Sequence, residues 1–352
     1  MENLSTTSSL YDSAFEHDAC GIGFVAHLKG QKSHSIVDDA IIMLQNMEHR
    51  GGCGCDPDSG DGAGIMVQKP HDFFQEELAS STINLPSFNE YGVAMIFFPH
   101  HEDRKEACRT IFNEIIDKLG LKLLGYRKVP TNNKSLGRAS LSLEHSVEQA
   151  FLTFKEPVSD DPMVLERRLF VLKGYASHLI HQQVPDTVDR FYVASCSYNT
   201  IVYKGQLTTF QLRPYYIDLQ APHFESALAL VHSRFSTNTF PKWKLAQPFR
   251  YIAHNGEINT IRGNVNWMRS KEVLLESTLF TEEELEMILP ICDASRSDSA
   301  NLDNIVELLY LGGRSLPHVM MMLIPYATGQ LPTKLIRTMM VRDTPYACTA
   351  TR

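Results

Sequence analysis

An α+β fold of layered sheets is what this sequence predicts, and three observations predict it. Apolar stretches at helical spacing are interspersed with strand-like runs. The strands come in clusters rather than one per helix, which disfavours a doubly wound parallel sheet. A loop dense in Gly, Asp and Ser follows the first helix-like segment. With 352 residues, 43% of them hydrophobic, the chain has ample apolar material for one large layered domain or two ordinary ones.

Taken in order, Gly21 to Leu28 reads as a strand. Ser35 to Met47 places Ile36, Ala40, Leu44 and Met47 on one helical face, and Gly51-Gly52 stops it. Gly51 to Gly64 is then a surface loop whose backbone can approach a ligand closely. Ala63 to Val67 and Tyr91 to Phe98 follow as strands. Glu102 to Leu119 aligns Ala107, Ile111, Ile115 and Leu119 and ends at Gly120, a natural helix stop. Leu121 to Val129 is read as a strand and Asp161 to Gln183 as a long helix. Phe191 to Ala194, Thr200 to Tyr203, Thr208 to Leu212 and Ala227 to Arg234 are read as further strands. No internal repeat, low-complexity segment or flexible interdomain linker is found.

Charge and hydropathy narrow the partners. Basic residues number 33 against 41 acidic, a net charge of -8, with no dense Lys/Arg run to track a phosphate backbone, so nucleic acid is not expected. Apolar runs such as Val319 to Ile324 are far shorter than the roughly 20 residues a membrane helix requires, so no membrane partner is expected. Met1 to Ala19 is polar and acidic, unlike a secretory signal or a typical transit peptide, and is read as a removable propeptide. Seven cysteines without an export signal point to free thiols in a reducing cytoplasm.

Cys20 is the first residue with evident chemistry. Cleavage between Ala19 and Cys20 would give one residue both a thiol and a free α-amine, whose pKa of about 7.7 to 8.0 suits it to take the thiol proton. The plain alternative is a small buried hydrophobe. Three further segments are suggestive only together: His49-Arg50-Gly51, Val231 to Asn238, and Ile252 to Ile258. Asn255-Gly256 is first a turn signal, but its side-chain amide and backbone N–H would also make an oxyanion hole. Arg234, at a strand end, suits a carboxylate, and Asp298, read most simply as a helix N-cap or first-turn acid, suits an ammonium group. Nucleophile, cation and anion together point to glutamine.

The chain resembles the N-terminal glutamine amidotransferase domain of the glutamate synthase large subunit. The residues that carry the resemblance are Ala19 to Phe24, Glu48-His49-Arg50-Gly51-Gly52, Ser59-Gly60-Asp61-Gly62-Ala63-Gly64-Ile65, Thr200 to Gly205, His232 to Asn238, His254 to Thr260, and Ser297-Asp298-Ser299 with Asn301-Leu302-Asp303. The resemblance implies an N-terminal-nucleophile hydrolase-like fold, a four-layer αββα sandwich, with a propeptide over residues 1–19 and the class II amidotransferase domain over 20–325. It makes Cys20 the nucleophile, Asn255 and Gly256 the oxyanion hole, and Arg50, Arg234, Thr237 and Asp298 the substrate-binding residues. It implies hydrolysis of L-glutamine to L-glutamate and ammonia through a Cys20 thioester, in the cytoplasm or, for a photosynthetic eukaryote, the plastid stroma.

From about Tyr326 to Arg352 the chain departs from the family pattern, and the expectation is a truncated chain missing its C-terminal strands. FMN and an iron–sulfur cluster are accordingly expected only in a separate synthase part, with its electron donor, ferredoxin or a nicotinamide cofactor, and not in this chain. The alternative is a catalytically inactive fragment that keeps the fold. Two other classes were weighed: an acylase or peptidase of the same fold, against which Arg234 and Asp298 favour a free amino acid, and a zinc-stabilised module built on Cys53-Gly54-Cys55 near His49 and His71. The second cysteine pair that a structural zinc site needs is missing, so no metal is expected.

Overall fold

A computed structural model describes residues 20–52, 56–234, 240–254, 261–293 and 296–324. Eight strands and ten α-helices are formed by these residues: β1 (Ile22–Ala26), α1 (His34–Asn46), β2 (Ala63–Gln68), α2 (His71–Leu78), β3 (Gly92–Phe98), α3 (Glu102–Lys118), β4 (Leu121–Lys128), α4 (Arg138–Ser142), β5 (Ser146–Phe154), α5 (Pro162–Gln183), β6 (Tyr192–Ser197), β7 (Thr200–Gly205), α6 (Leu212–Tyr215), β8 (Leu228–His232), α7 (Ile261–Glu272), α8 (Glu282–Ile288), α9 (Asp298–Leu311) and α10 (Leu316–Leu323). The strands make two four-stranded sheets, in the orders β1-β8-β2-β7 and β4-β5-β3-β6. Every pairing is antiparallel. The α+β class expected from clustered strands is the class observed.

Alternation along β3 joins the two halves of the structure. All seven of its residues are buried. Ala94, Ile96 and Phe98 enter a core with Cys108, Phe112 and Ile115 of α3 and Leu169 and Leu172 of α5. Val93, Met95 and Phe97 face the opposite way, into a core shared with Ile65, Tyr203 and Val231 of the first sheet. That period of two is what a strand covered on both faces must have. Helix α1 joins the second core through Val37, Ala40, Ile41 and Leu44 and packs along β8 and β1. The long helix α5 begins where Asp161 caps it, accepting the Met163 N–H at 3.0 Å, with Pro162 at its first position.

Two expectations are corrected. Thr208 to Leu212, read as a strand, is a turn leading into α6. The Gln211 side chain accepts the Thr208 N–H at 2.9 Å and its own N–H returns to the Thr208 carbonyl, so the polar residues close a local turn and no ladder forms. Strand β5 was missed because charged and polar residues interrupt its apolar pattern, although Glu148 and Gln149 are buried. Lys105 and Arg109 pair with Glu148, while Arg127 and Tyr203 bond Gln149. Burial of such groups is tolerated because each has partners. The propeptide at residues 1–19 and the tail from Tyr326 lie outside the described residues.

Candidate active site

Backbone pairing assembles the site. In the β1–β8 ladder Ile22 faces His232, and just beyond it the Ser233 N–H donates to the Gly21 carbonyl at 2.9 Å. The Ser233 hydroxyl reaches the same oxygen at 3.3 Å. Cys20 at the mouth of β1 is thereby held beside Ser233 and Arg234 at the end of β8, though some 210 residues separate them in sequence. Its thiol is free and exposed, whereas Cys108, Cys196 and Cys292 are free but buried. Burial pushes those three thiols up, Cys108 to about 11 and Cys292 to about 12, which keeps them protonated and inert.

Arg50 arrives from the other side of the chain. It closes the 3₁₀ turn Glu48–Arg50 after α1, where the Gly51 N–H returns to the Glu48 carbonyl at 2.8 Å. A β-carbon on Gly51 would lie 3.5 Å from the Ser233 carbonyl oxygen, so this loop runs against the end of β8. The Arg50 Nε is buried and has no acceptor among the described residues. At Gly52 a β-carbon would fall 1.9 Å from the Asp61 carboxylate, whose own N–H donates to the Gly52 carbonyl at 2.8 Å. A larger residue at position 52 would require the Asp61 side chain to shift.

Asp61, within the block Ser59 to Ile65, has no role that follows from the sequence. Burial raises its carboxyl above the usual range, and the nearby Arg234 guanidinium opposes the rise. The arginine and the carboxylate thus influence each other electrostatically where the loop meets β8. A cleft of about 350 Å³ opens here, with Glu48, Gly51, Gly52, Asp61, Gly62 and Ser233 in its wall. That volume lies in the range of small-molecule sites.

Asp298 sits in the first turn of α9 and is buried. The N-cap is its neighbour Ser297, whose side chain accepts the Ala300 N–H at 3.1 Å. Asp298 is therefore the first-turn acid of the two readings offered for it, and the helix N-terminus favours its negative charge. Its Oδ1 accepts the Ser299 N–H at 2.6 Å and the Ser299 hydroxyl at 3.1 Å. Ser299 in turn lies 2.7 Å from His254 Nε2, one residue before Asn255. Thr237, Asn255 and Gly256 lie outside the described residues, as do Cys53 and Cys55. His71 hydrogen-bonds the Tyr91 hydroxyl at 2.9 Å, and no group of three His, Cys, Asp or Glu suited to a metal ion occurs among the described residues.

The segment that carries His254 is anchored from α9. Asp303 accepts the N–H groups of Tyr251 and Ile252 at 2.8 and 3.0 Å and pairs with Arg250 at 2.8 Å. Arg250 also meets Glu307, which pairs with Lys173 of α5. These buried ions compensate one another, and removing one would strand the rest.

Two antiparallel sheets with an exposed cysteine at the start of β1, an arginine at the end of β8 and a buried aspartate heading α9 define a class of protein. The chain belongs to the class-II glutamine amidotransferases, whose family profile matches residues 20–339. It is similar to a glutamate synthase [NADH] of Schizosaccharomyces pombe, 46% identical over 329 residues that cover 92% of this chain and 15% of that protein. It is also similar to the glutamate synthase [NADPH] large chain of Bacillus subtilis, 48% identical over 322 residues, 92% of this chain and 21% of that one. A chloroplastic ferredoxin-dependent glutamate synthase of Oryza sativa is 42% identical over 325 residues, covering 92% and 20% respectively. The chain thus spans between 15% and 21% of the length of these relatives.

Proposed function

We propose that this chain carries out the glutaminase half of glutamate synthesis, hydrolysing L-glutamine to L-glutamate and ammonia. The pairing of β1 with β8 carries this reading, because it holds an exposed thiol beside an arginine that suits an α-carboxylate. Cleavage of the Ala19–Cys20 bond supplies the base. The freed α-amine takes the thiol proton as Sγ attacks the side-chain amide carbon, and the carbonyl π electrons move onto oxygen. The Asn255 side-chain amide and the Gly256 N–H bind that oxyanion.

Collapse breaks the C–N bond, and the leaving nitrogen takes the proton held by the Cys20 ammonium, so ammonia departs and a glutamyl thioester remains. Water then attacks the thioester and gives its proton to the α-amine; the C–S bond breaks, the thiolate regains a proton, and glutamate leaves. Arg234 holds the substrate α-carboxylate through paired hydrogen bonds, and Asp298 holds the α-ammonium. Arg50 braces the site beside Cys20, and Thr237 contacts the substrate. In a longer protein the ammonia passes to a synthase part bearing FMN and an iron–sulfur cluster, supplied with electrons by ferredoxin or a nicotinamide cofactor. The test is ammonia release from glutamine by the wild type and by Cys20→Ser. Turnover in the wild type that falls at least about a thousandfold in the variant is expected; equal rates would reject the reading.

A further inference from the structure

The buried ring of His232 has no part in the chemistry just described, yet it touches both sides of the site. It is the last residue of β8 and is 1% exposed. Its Nδ1 accepts the backbone N–H of Arg234 at 3.0 Å. Its Nε2 lies 2.8 Å from the carbonyl oxygen of His254. An amide N–H can only donate and a carbonyl can only accept, so the ring must be neutral with its proton on Nε2.

The chain of bonds continues. Ser299 Oγ donates to Asp298 Oδ1 and therefore accepts from His254 Nε2. Two hydrogen-bonded runs thus meet at His254: its carbonyl is tied through His232 to the Arg234 backbone, and its ring through Ser299 to Asp298. Resting on the glutaminase reading above, we propose that His232 is a positioning residue for that reaction, fixing the Arg234 turn through Nδ1 and the peptide unit that leads from His254 into Asn255 through Nε2. Substrate capture depends on the first bond and the chemical step on the second. Burial supports the assignment, holding the ring down to about 4 so that it stays neutral at working pH.

The two bonds can be removed separately. In His232→Asn the side-chain oxygen stands where Nδ1 was and still accepts from Arg234, but the donor to His254 is gone. In His232→Gln the amide nitrogen stands where Nε2 was and still donates to His254, but the acceptor for Arg234 is gone. Glutamine kinetics should therefore split. For His232→Asn we expect kcat to fall by about tenfold or more with KM within about threefold. For His232→Gln we expect KM to rise by about tenfold with kcat within about threefold.

A purely structural histidine would lower both variants alike in active-site content without such a split. Equal effects on KM and kcat, or none, overturn the inference while leaving Cys20-dependent turnover intact. A wild type without Cys20-dependent turnover overturns the underlying reading and this inference with it. Should either variant fail to fold, long-range proton–nitrogen spectra of the wild type give an independent check. The expected result is that the sequence-assigned His232 ring is in the neutral Nε2–H form, unchanged between about pH 5.5 and 8.5; a His232 ring that titrates there, or carries its proton on Nδ1, contradicts the proposal.

Discussion

At the scale of single residues, the site depends on charge placed where the backbone leaves no slack. Arg234 lies one residue beyond the Ser233 bond to Gly21, so its position follows from sheet register rather than from a flexible loop. On the role proposed for Arg234, Arg234→Ala would remove paired, charge-assisted hydrogen bonds to the substrate carboxylate, about 1.5–3 kcal/mol in all. KM for glutamine is then expected to rise by roughly tenfold to a hundredfold, with a smaller change in kcat; ammonia-release kinetics at varied glutamine check this, and an unchanged KM refutes the assignment. Cys20, Arg50, Arg234 and Asp298 could be proposed from the sequence because each sits in a short block of unusual composition. No sequence pattern singled out Asp61 or His232. What marks them is contact made only in the fold: Gly52 and Arg234 for one, His254 for the other. A polar residue ending the otherwise apolar run Leu228 to Val231 was the available signal for His232.

At the scale of elements, apolar periodicity located what packs against a core and lost what is buried with its own polar partners. Helix α3 matches the reading to within a residue, and β3 begins one residue later than expected. Strand β5 was invisible because Glu148 and Gln149 interrupt its pattern, and only Lys105, Arg109 and Arg127 explain why they are tolerated inside. Lys69, just past β2, is a similar case. It is fully buried, donates to the carbonyls of Phe88 and Tyr91, and lies 4.5 and 3.5 Å from their ring centroids.

Burial lowers the Lys69 ammonium to about 6, from an ordinary value of 10.5. Between those values the folded state binds fewer protons than the unfolded chain, so stability rises with pH there and falls as the pH drops toward 6. Denaturant unfolding of wild type and Lys69→Met at about pH 6.5 and 9 isolates this contribution, because the two carbonyls left bare in the variant cost the same at both values. Wild type should gain on the variant by at most about 3 kcal/mol over that interval, less whatever the two aromatic rings contribute to holding the cation. A difference that stays constant with pH would show that Lys69 is charged in the folded state.

At the scale of the whole molecule, two sheets sharing a core bring three distant segments to one edge: the start of β1, the turn after α1 and the end of β8. Helix α9 adds a fourth, and the buried ions of Lys173, Arg250, Asp303 and Glu307 tie it to α5 and to the segment before His254. The α+β class followed from strand clustering, but the number and order of strands did not, since sheet partners are set by packing between segments that no local pattern connects. The amidotransferase family was accessible from the sequence because Cys20, Arg234, Asn255-Gly256 and Asp298 together suggest one complete set of roles for glutamine. No helix of the described residues is long and apolar enough to cross a membrane.

On the proposed mechanism, Cys20 becomes an N-terminal nucleophile for glutamine. Intact-mass spectrometry of the purified chain, before and after treatment with a diazoketone analogue of glutamine, tests it most directly. The expected product is a polypeptide that begins at Cys20, carries one covalent adduct on that residue, and is protected by excess glutamine. A chain that retains residues 1–19 and takes no adduct, or takes it on another cysteine, would contradict it.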